Sequence, residues 1–501
     1  MTKLGWTDDP SRLSIWQRLR FVVRDSALYG GAAALNKVFT LITFPLLARY
    51  FSVADYGIID FFSVLATMLA TFFIFGQDSA VARFFYEYKD EHSRRQLISQ
   101  SFFLQVIFIL AVLPLLWINA ENLAGYISSE PVAVKLVKLI VLQVPFILFI
   151  NFSQNLLKWT FSRVRFLFMS IGSVILNVSL LLVAVSVVGI GIQGVFQVYL
   201  AVNACFGVLG VFFVRHWLGI PRNLRFQREM LPFAVPYGII CCIGAFVPAM
   251  ERSLVNGLVG TQELGIYAAG AKVAMLLMLF IQAFQTAWGP FSLAIYKEAD
   301  AGHTYSLVLR VSTIGLCVAV LGLSAAAYPV IVLLASSRYA GAAAIVFPLA
   351  MGLAIQGTGW ITEIGIGLSK KSYLSIYSYA VFLLATGASI YVMAQLFGLP
   401  GVAFGVMFGQ LAKACVAAWL AQRVYPLPWP FASALTLVCS TLLIGCASNW
   451  IYIKSGVVAN CLFLLGGILA ILAVGWFNAL SKSERKSIRN YLVVRNSFMK
   501  A

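Results

Sequence analysis

ALNKVFTLITFPLLARYFSVADYGIIDFFSV, residues 34–64, carries the two features that decide the fold. A membrane-spanning helix needs about 20 mostly apolar residues. This stretch joins the end of one such run, 26–48, to the start of another, 56–76. An acidic-x-Gly sequence, Asp55-Tyr56-Gly57, marks the expected tight turn between them. The second feature is charge inside the runs: Lys37 lies midway along the first and Asp60 in the second.

Twelve further apolar windows follow, at 97–118, 136–156, 166–189, 195–214, 232–256, 264–287, 306–327, 341–366, 373–396, 399–421, 431–449 and 456–478. The pattern predicts an all-α polytopic membrane protein of about 14 transmembrane helices. Composition agrees: of 501 residues 61% are hydrophobic and only 11% charged, against roughly 25% charged in soluble chains. A soluble multidomain enzyme, a disordered chain and a secreted disulfide scaffold are all poor fits. The eight cysteines lie in apolar runs with no CxxC or Cys/His spacing, so neither a disulfide framework nor a metal site is expected.

The net charge of +18 first suggests nucleic acid, but its placement says otherwise. Alternate loops and both termini hold 27 of the 36 basic residues. The opposite side has Arg49, Lys135, Lys138, Arg338 and Lys454, and four more fall within spans. That asymmetry places both termini in the cytoplasm. Residues 1–24 form a basic arm with no signal-peptide pattern. Within it Leu13, Trp16, Leu19 and Val23 share one helical face opposite arginines, as in an interfacial helix; a merely solvated arm is the alternative.

A gap-free register at an offset of 208 aligns Tyr29-Gly30 with Tyr237-Gly238, Asp55-x-Gly57-Ile58 with Glu263-x-Gly265-Ile266, and Tyr88-Lys89-Asp90 with Tyr296-Lys297-Glu298. The offset crosses six spans, an even number, so the copies share one orientation. The expected organisation is an arm at 1–24, an N-lobe of spans 1–6 at 25–216 and a C-lobe of spans 7–12 at 217–423. Spans 13–14 follow at 424–480, and a basic cytoplasmic tail at 481–501.

Ionisable groups at membrane depth are costly and face partners or cavities. Lys37, Arg252 and Lys272 open the two lobes and together suit a cationic cavity for a phosphate-bearing substrate. Asp60, Glu251 and Glu363 are candidates for ion coupling or for structural pairing. Asp78 and Arg83 fit a cytoplasmic gate or a plain ion pair, and Lys413 fits a snorkelling lysine. Prolines inside spans, such as Pro45 and Pro248, suit bending helices or irregular packing. No P-loop, no HExxH and no long external loop is present, so catalysis and a resident cofactor are not expected.

The stretch 34–64 and the later QDSAVARFFYEYKDE, residues 77–91, resemble the start of bacterial polysaccharide-translocase proteins of the multidrug/oligosaccharidyl-lipid/polysaccharide exporter superfamily. The resemblance implies an inner-membrane flippase that moves an undecaprenyl-pyrophosphate-linked oligosaccharide of O-antigen, capsule or exopolysaccharide to the periplasmic leaflet. The two lobes and the resemblance together predict alternating access by rocking of the lobes, with coupling to a proton or sodium gradient as the expected drive and a polysaccharide polymerase and chain-length machinery as expected partners. In related flippases spans 1, 2, 7 and 8 line the cavity, and here those carry Lys37, Asp60, Arg252 and Lys272. A lipid II flippase, a drug/cation exporter of the superfamily, and an O-antigen polymerase or ligase are the other readings.

Overall fold

The computed structural model describes residues 42–127, 131–298, 300–369, 371–479 and Arg485. Its helices are α1 (42–50), α2 (Val53–Ile74), α3 (Gln77–Phe84), α4 (Glu91–Ile118), α5 (Ala120–Ile127), α6 (Pro131–Trp159), α7 (Arg163–Val183) and α8 (Ile192–Val214). They continue with α9 (Arg225–Leu258), α10 (Thr261–Ala274), α11 (Leu277–Ile295), α12 (Ala301–Leu334), α13 (Ala343–Thr362), α14 (Ile364–Leu368), α15 (Ser375–Val424) and α16 (Phe431–Val474). Short 3-10 and π turns join some of them, and no strand occurs among the described residues. Lys37, the Tyr29-Gly30 pair, the basic arm and nearly all of the tail lie outside the described residues.

Eleven described helices are long and apolar enough to cross a membrane, or twelve if the bent pair α10–α11 is one span. The chain is a multi-pass, all-α membrane protein, and two features account for the difference from fourteen. The first window, 26–48, lies mostly outside the described residues. Windows 373–396 and 399–421 join as the 50-residue α15, which breaks where Gly398 takes φ 62°. At about 1.5 Å per residue that helix far exceeds a hydrocarbon core of about 30 Å. Hydropathy reports apolar length and is silent on such a break. A similar break at Gly456, φ 80°, divides α16.

The chain divides into two compact units. One contains Val81–Gln227; the other joins Phe44–Ala80 to Arg228 onwards, so residues 44–80 group with the second unit.

In the first unit α6 packs along α8. Asp90 caps α4 by accepting from the Ser93 amide at 2.7 Å. One turn further on, α4 buries Gln96, Ser99 and Gln100. These side chains satisfy the irregular segment that follows α8 and the first turn of α9. Ser99 Oγ accepts from Gly219 N at 2.9 Å, Gln96 Oε1 from Arg222 N at 3.3 Å, and Gln100 Oε1 from Gln227 N at 3.0 Å. Backbone donors without water or helical partners must be met this way.

In the second unit α2 starts at Ser52, whose Oγ accepts from Asp55 N at 3.1 Å and donates to Asp55 Oδ2 at 2.7 Å. The tight turn therefore falls at residues 51–52, and Asp55-x-Gly57 lies inside the helix. This corrects the expectation that the acidic-x-Gly sequence is itself the turn. The acid belongs in the first helical turn, where free amides and the helix dipole favour negative charge. Glu263 takes the same place in α10. The glycine has a packing role. A β-carbon on Gly57 would stand 2.6 Å from Gly265 N, and one on Gly265 would overlap the Val53 carbonyl oxygen. Hence α2 and α10 touch backbone to backbone, Gly57 against Gly265 and Gly265 against Val53, as small residues at a helix interface allow.

Near this contact two arginines exchange caps between the end of α1 and the end of α12, Arg338 lying in the 3-10 turn that follows α12. Arg49, at the end of α1, donates through Nε to Leu334 O at 3.3 Å and through Nη2 to Leu333 O, the last carbonyls of α12. Arg338 donates in return to Arg49 O at 3.0 Å and Ala48 O at 3.4 Å. Terminal carbonyls lack helical partners. Two of the five basic residues expected on the side opposite the cytoplasm thus serve as caps.

Candidate functional site

Four of the charges singled out in the sequence meet inside the second unit. Asp60 comes from α2, Glu251 and Arg252 from α9, and Lys272 from the last turn of α10. Asp60 is buried, and each of its oxygens takes one cation: Oδ2 accepts from Arg252 Nε at 2.9 Å, and Oδ1 lies 2.9 Å from Lys272 Nζ. Arg252 also donates through Nη1 to Pro248 O at 3.1 Å, one turn back. The same nitrogen is 3.7 Å from Glu251 Oε2, which accepts from Tyr267 OH at 2.8 Å. The Arg252 guanidinium stands 5.5 Å from the Tyr267 ring centroid.

Two acids and two bases make this cluster formally neutral. Burying charges is tolerable when they are paired and their lone pairs and protons are met, as they are at Asp60. The cations differ in freedom. The Arg252 side chain is 5% exposed and fixed on three sides, whereas that of Lys272 is 21% exposed. A compact ammonium on a flexible stem can trade partners where a fixed guanidinium cannot.

A second ion pair lies nearby in the same unit. Lys413 of α15, 3% exposed, stands 3.8 Å from Glu363 Oε1 and 4.1 Å above the centroid of the Tyr379 ring. It is buried and paired, so it does not snorkel to the membrane surface. Both clusters contribute to the wall of one cavity of about 260 Å³. Pro248, Glu251, Arg252, Tyr267, Tyr379 and Lys413 are among its lining residues. The sequence signals for Tyr267 and Tyr379 were nil, since an aromatic in an apolar run has no contrast with its surroundings.

The remaining candidates fall elsewhere. Lys37 is outside the described residues. Asp78 Oδ1 accepts from Ser79 N at 2.7 Å near the start of α3, and Arg83 Nε lies 3.9 Å from Glu87 Oε1 on a well-exposed surface. Among the described residues no group of His, Cys, Asp and Glu could hold a metal ion.

Comparison with known proteins bears on the whole chain. An uncharacterized membrane protein of Haemophilus influenzae is 20% identical over 296 residues, covering 57% of this chain and 70% of that protein. The lipid II flippase MurJ, in an inward closed conformation, superposes with a TM-score of 0.68 at 15% identity, covering 90% of this chain and 99% of MurJ. An inward-facing multidrug resistance MATE family transporter of the MOP superfamily gives 0.66 at 16% identity, covering 77% and 94%. These likenesses establish the fold. Residues 22–295 match the family described as polysaccharide biosynthesis protein, and the chain belongs to that family, on a transporter fold shared with MATE and MurJ.

Proposed function

We propose that this chain is a flippase that carries an undecaprenyl-pyrophosphate-linked oligosaccharide across the bacterial inner membrane by alternating access, with both termini cytoplasmic. The observation that carries the reading is the convergence of Arg252 and Lys272 on one carboxylate at membrane depth. Two cations focused on one oxyanion also suit a phosphate. Family membership supplies polysaccharide biosynthesis, and the flippase named among the fold relatives supplies lipid-linked cargo. Lys37, Arg252 and Lys272 would meet the pyrophosphate while the prenyl chain stays in the lipid. A proton or sodium gradient acting through Asp60, Glu251 or Glu363 would drive the cycle. A polymerase and chain-length machinery would take the product.

The test is reconstitution. Purified protein in liposomes is given a fluorescent undecaprenyl-pyrophosphate oligosaccharide, and outer-leaflet label is quenched over time. Transfer faster than in protein-free vesicles, lost in Lys272→Gln, is the expected result; no transfer with any lipid-linked glycan would refute the reading. Lipid II, run in parallel, tests the MurJ-like alternative: preference for lipid II over other lipid-linked oligosaccharides would reassign the substrate.

A further inference from the structure

Among the described residues of the cluster, Asp60 alone contacts both cations. Its two oxygens each accept one of them, as two oxygens of a phosphate would. Because the four described members of the cluster balance in charge, they offer an arriving phosphate no uncompensated positive charge unless a resident carboxylate leaves. Lys272 is the accessible member, and Arg252 is fixed by Pro248 O and Glu251 as well as by Asp60.

Position links this ion bridge to packing. Asp60 lies one turn beyond Gly57 on the same side of α2, and Lys272 lies two turns beyond Gly265 on the same side of α10. The ion bridge and the glycine contact are successive points on one seam. The repeat aligns Gly57 with Gly265 but has no second acid, because the residue equivalent to Asp60 is Ala268.

We propose that Asp60 is a resident counter-anion standing in the place of the substrate's phosphate. A pyrophosphate group that binds Lys272 displaces the Asp60 carboxylate, and the exchange unfastens the ionic half of the α2–α10 seam. No bond other than ionic contacts and hydrogen bonds changes. Asp60 is here a positioning residue, and Lys272 is the contact to the ligand. The identity of the anion as a lipid-linked pyrophosphate rests on the flippase reading; the exchange itself is a property of the cluster.

The experiment uses the full chain in nanodiscs, titrated calorimetrically with inorganic pyrophosphate. Asp60→Asn leaves one positive charge uncompensated and is expected to bind at least about tenfold more tightly than wild type. Lys272→Gln is expected to lose binding, and the double variant Asp60→Asn/Lys272→Gln to lose the gain. Tighter binding by the double variant, or no gain in Asp60→Asn, overturns the proposal.

Should Asp60→Asn fail to fold, wild-type protein with isotope-labelled aspartate carries the test. Pyrophosphate is expected to shift a carboxylate infrared band in wild type and not in Lys272→Gln, and an unchanged band overturns the exchange. The two readings fail separately. Pyrophosphate exchange without transfer of any lipid-linked glycan defeats the flippase reading alone, and transfer without exchange defeats this one.

Discussion

Gly57 and Gly265, 208 positions apart, meet so closely that a β-carbon on the first would lie 2.6 Å from the backbone nitrogen of the second. Neither helix can move away cheaply, since the contact is backbone on backbone and no flexible side chain can yield. Gly265→Val is expected to destabilise the fold by about 1–3 kcal/mol, the usual cost of overpacking. Gly57→Val is expected to do the same, because its β-carbon would press on the Gly265 backbone as that of Gly265 would press on Val53. Thermal unfolding in detergent is the check, and unchanged melting of both variants would contradict the described seam.

The exchanged caps of Arg49 and Arg338 make a second prediction. Each guanidinium serves the carbonyls of the other's segment, so the first loss leaves the partner's own segment uncapped as well. Hydrogen bonds to charged groups contribute about 1.5–3 kcal/mol when buried. Both arginines are exposed, so about 1 kcal/mol for each alanine variant is the expected scale. A double-mutant cycle should show coupling between the two. Strict additivity would mean that the caps act independently.

Much of this could be read from the sequence, and what could not has a physical cause. Apolar length reveals spans because the bilayer sets it, but the φ 62° break at Gly398 leaves no mark in hydropathy. Charges in apolar runs drew attention to Asp60, Glu251, Arg252 and Lys272, since an ion at membrane depth needs a partner. Which partner it takes depends on how α2, α9 and α10 approach, and that is a tertiary matter. Glu251 and Arg252 point apart as helical neighbours, yet the long arginine side chain turns back to within 3.7 Å of the acid. Gly57 and Gly265 were visible as repeat landmarks, while their mutual contact was not.

The cluster gives a third prediction, which separates its two cations. Arg252→Met leaves Asp60 and Glu251 short of a shared partner in a buried site, and removal of one member of such a pair costs about 3–5 kcal/mol. Lower yield and lower melting temperature are expected. Lys272→Gln removes a side chain that is one-fifth exposed. Its melting is expected to fall by less than half as much, while surface glycan is lost. Equal loss of stability in both variants would contradict the division of roles.

Lys413, which lines the same cavity, pairs with Glu363, and the fourth prediction concerns the charge balance of that pair. At 3.8 Å the pair is an ionic contact without a hydrogen bond, and the Tyr379 ring face supplies the other stabilising surface at 4.1 Å. A cation over an aromatic face gains up to about 2 kcal/mol when desolvated. That is less than burial of an unpaired charge costs, so Glu363→Gln should destabilise by about 3 kcal/mol or more. Lys413→Met in the same chain removes the stranded charge, so the double variant should recover most of the loss. Tyr379→Leu should weaken wild type but leave the double variant nearly unchanged, because its effect acts through the ammonium. Melting temperatures of the single, double and triple variants decide this. Failure of Lys413→Met to rescue Glu363→Gln would mean that the carboxylate serves a partner other than Lys413.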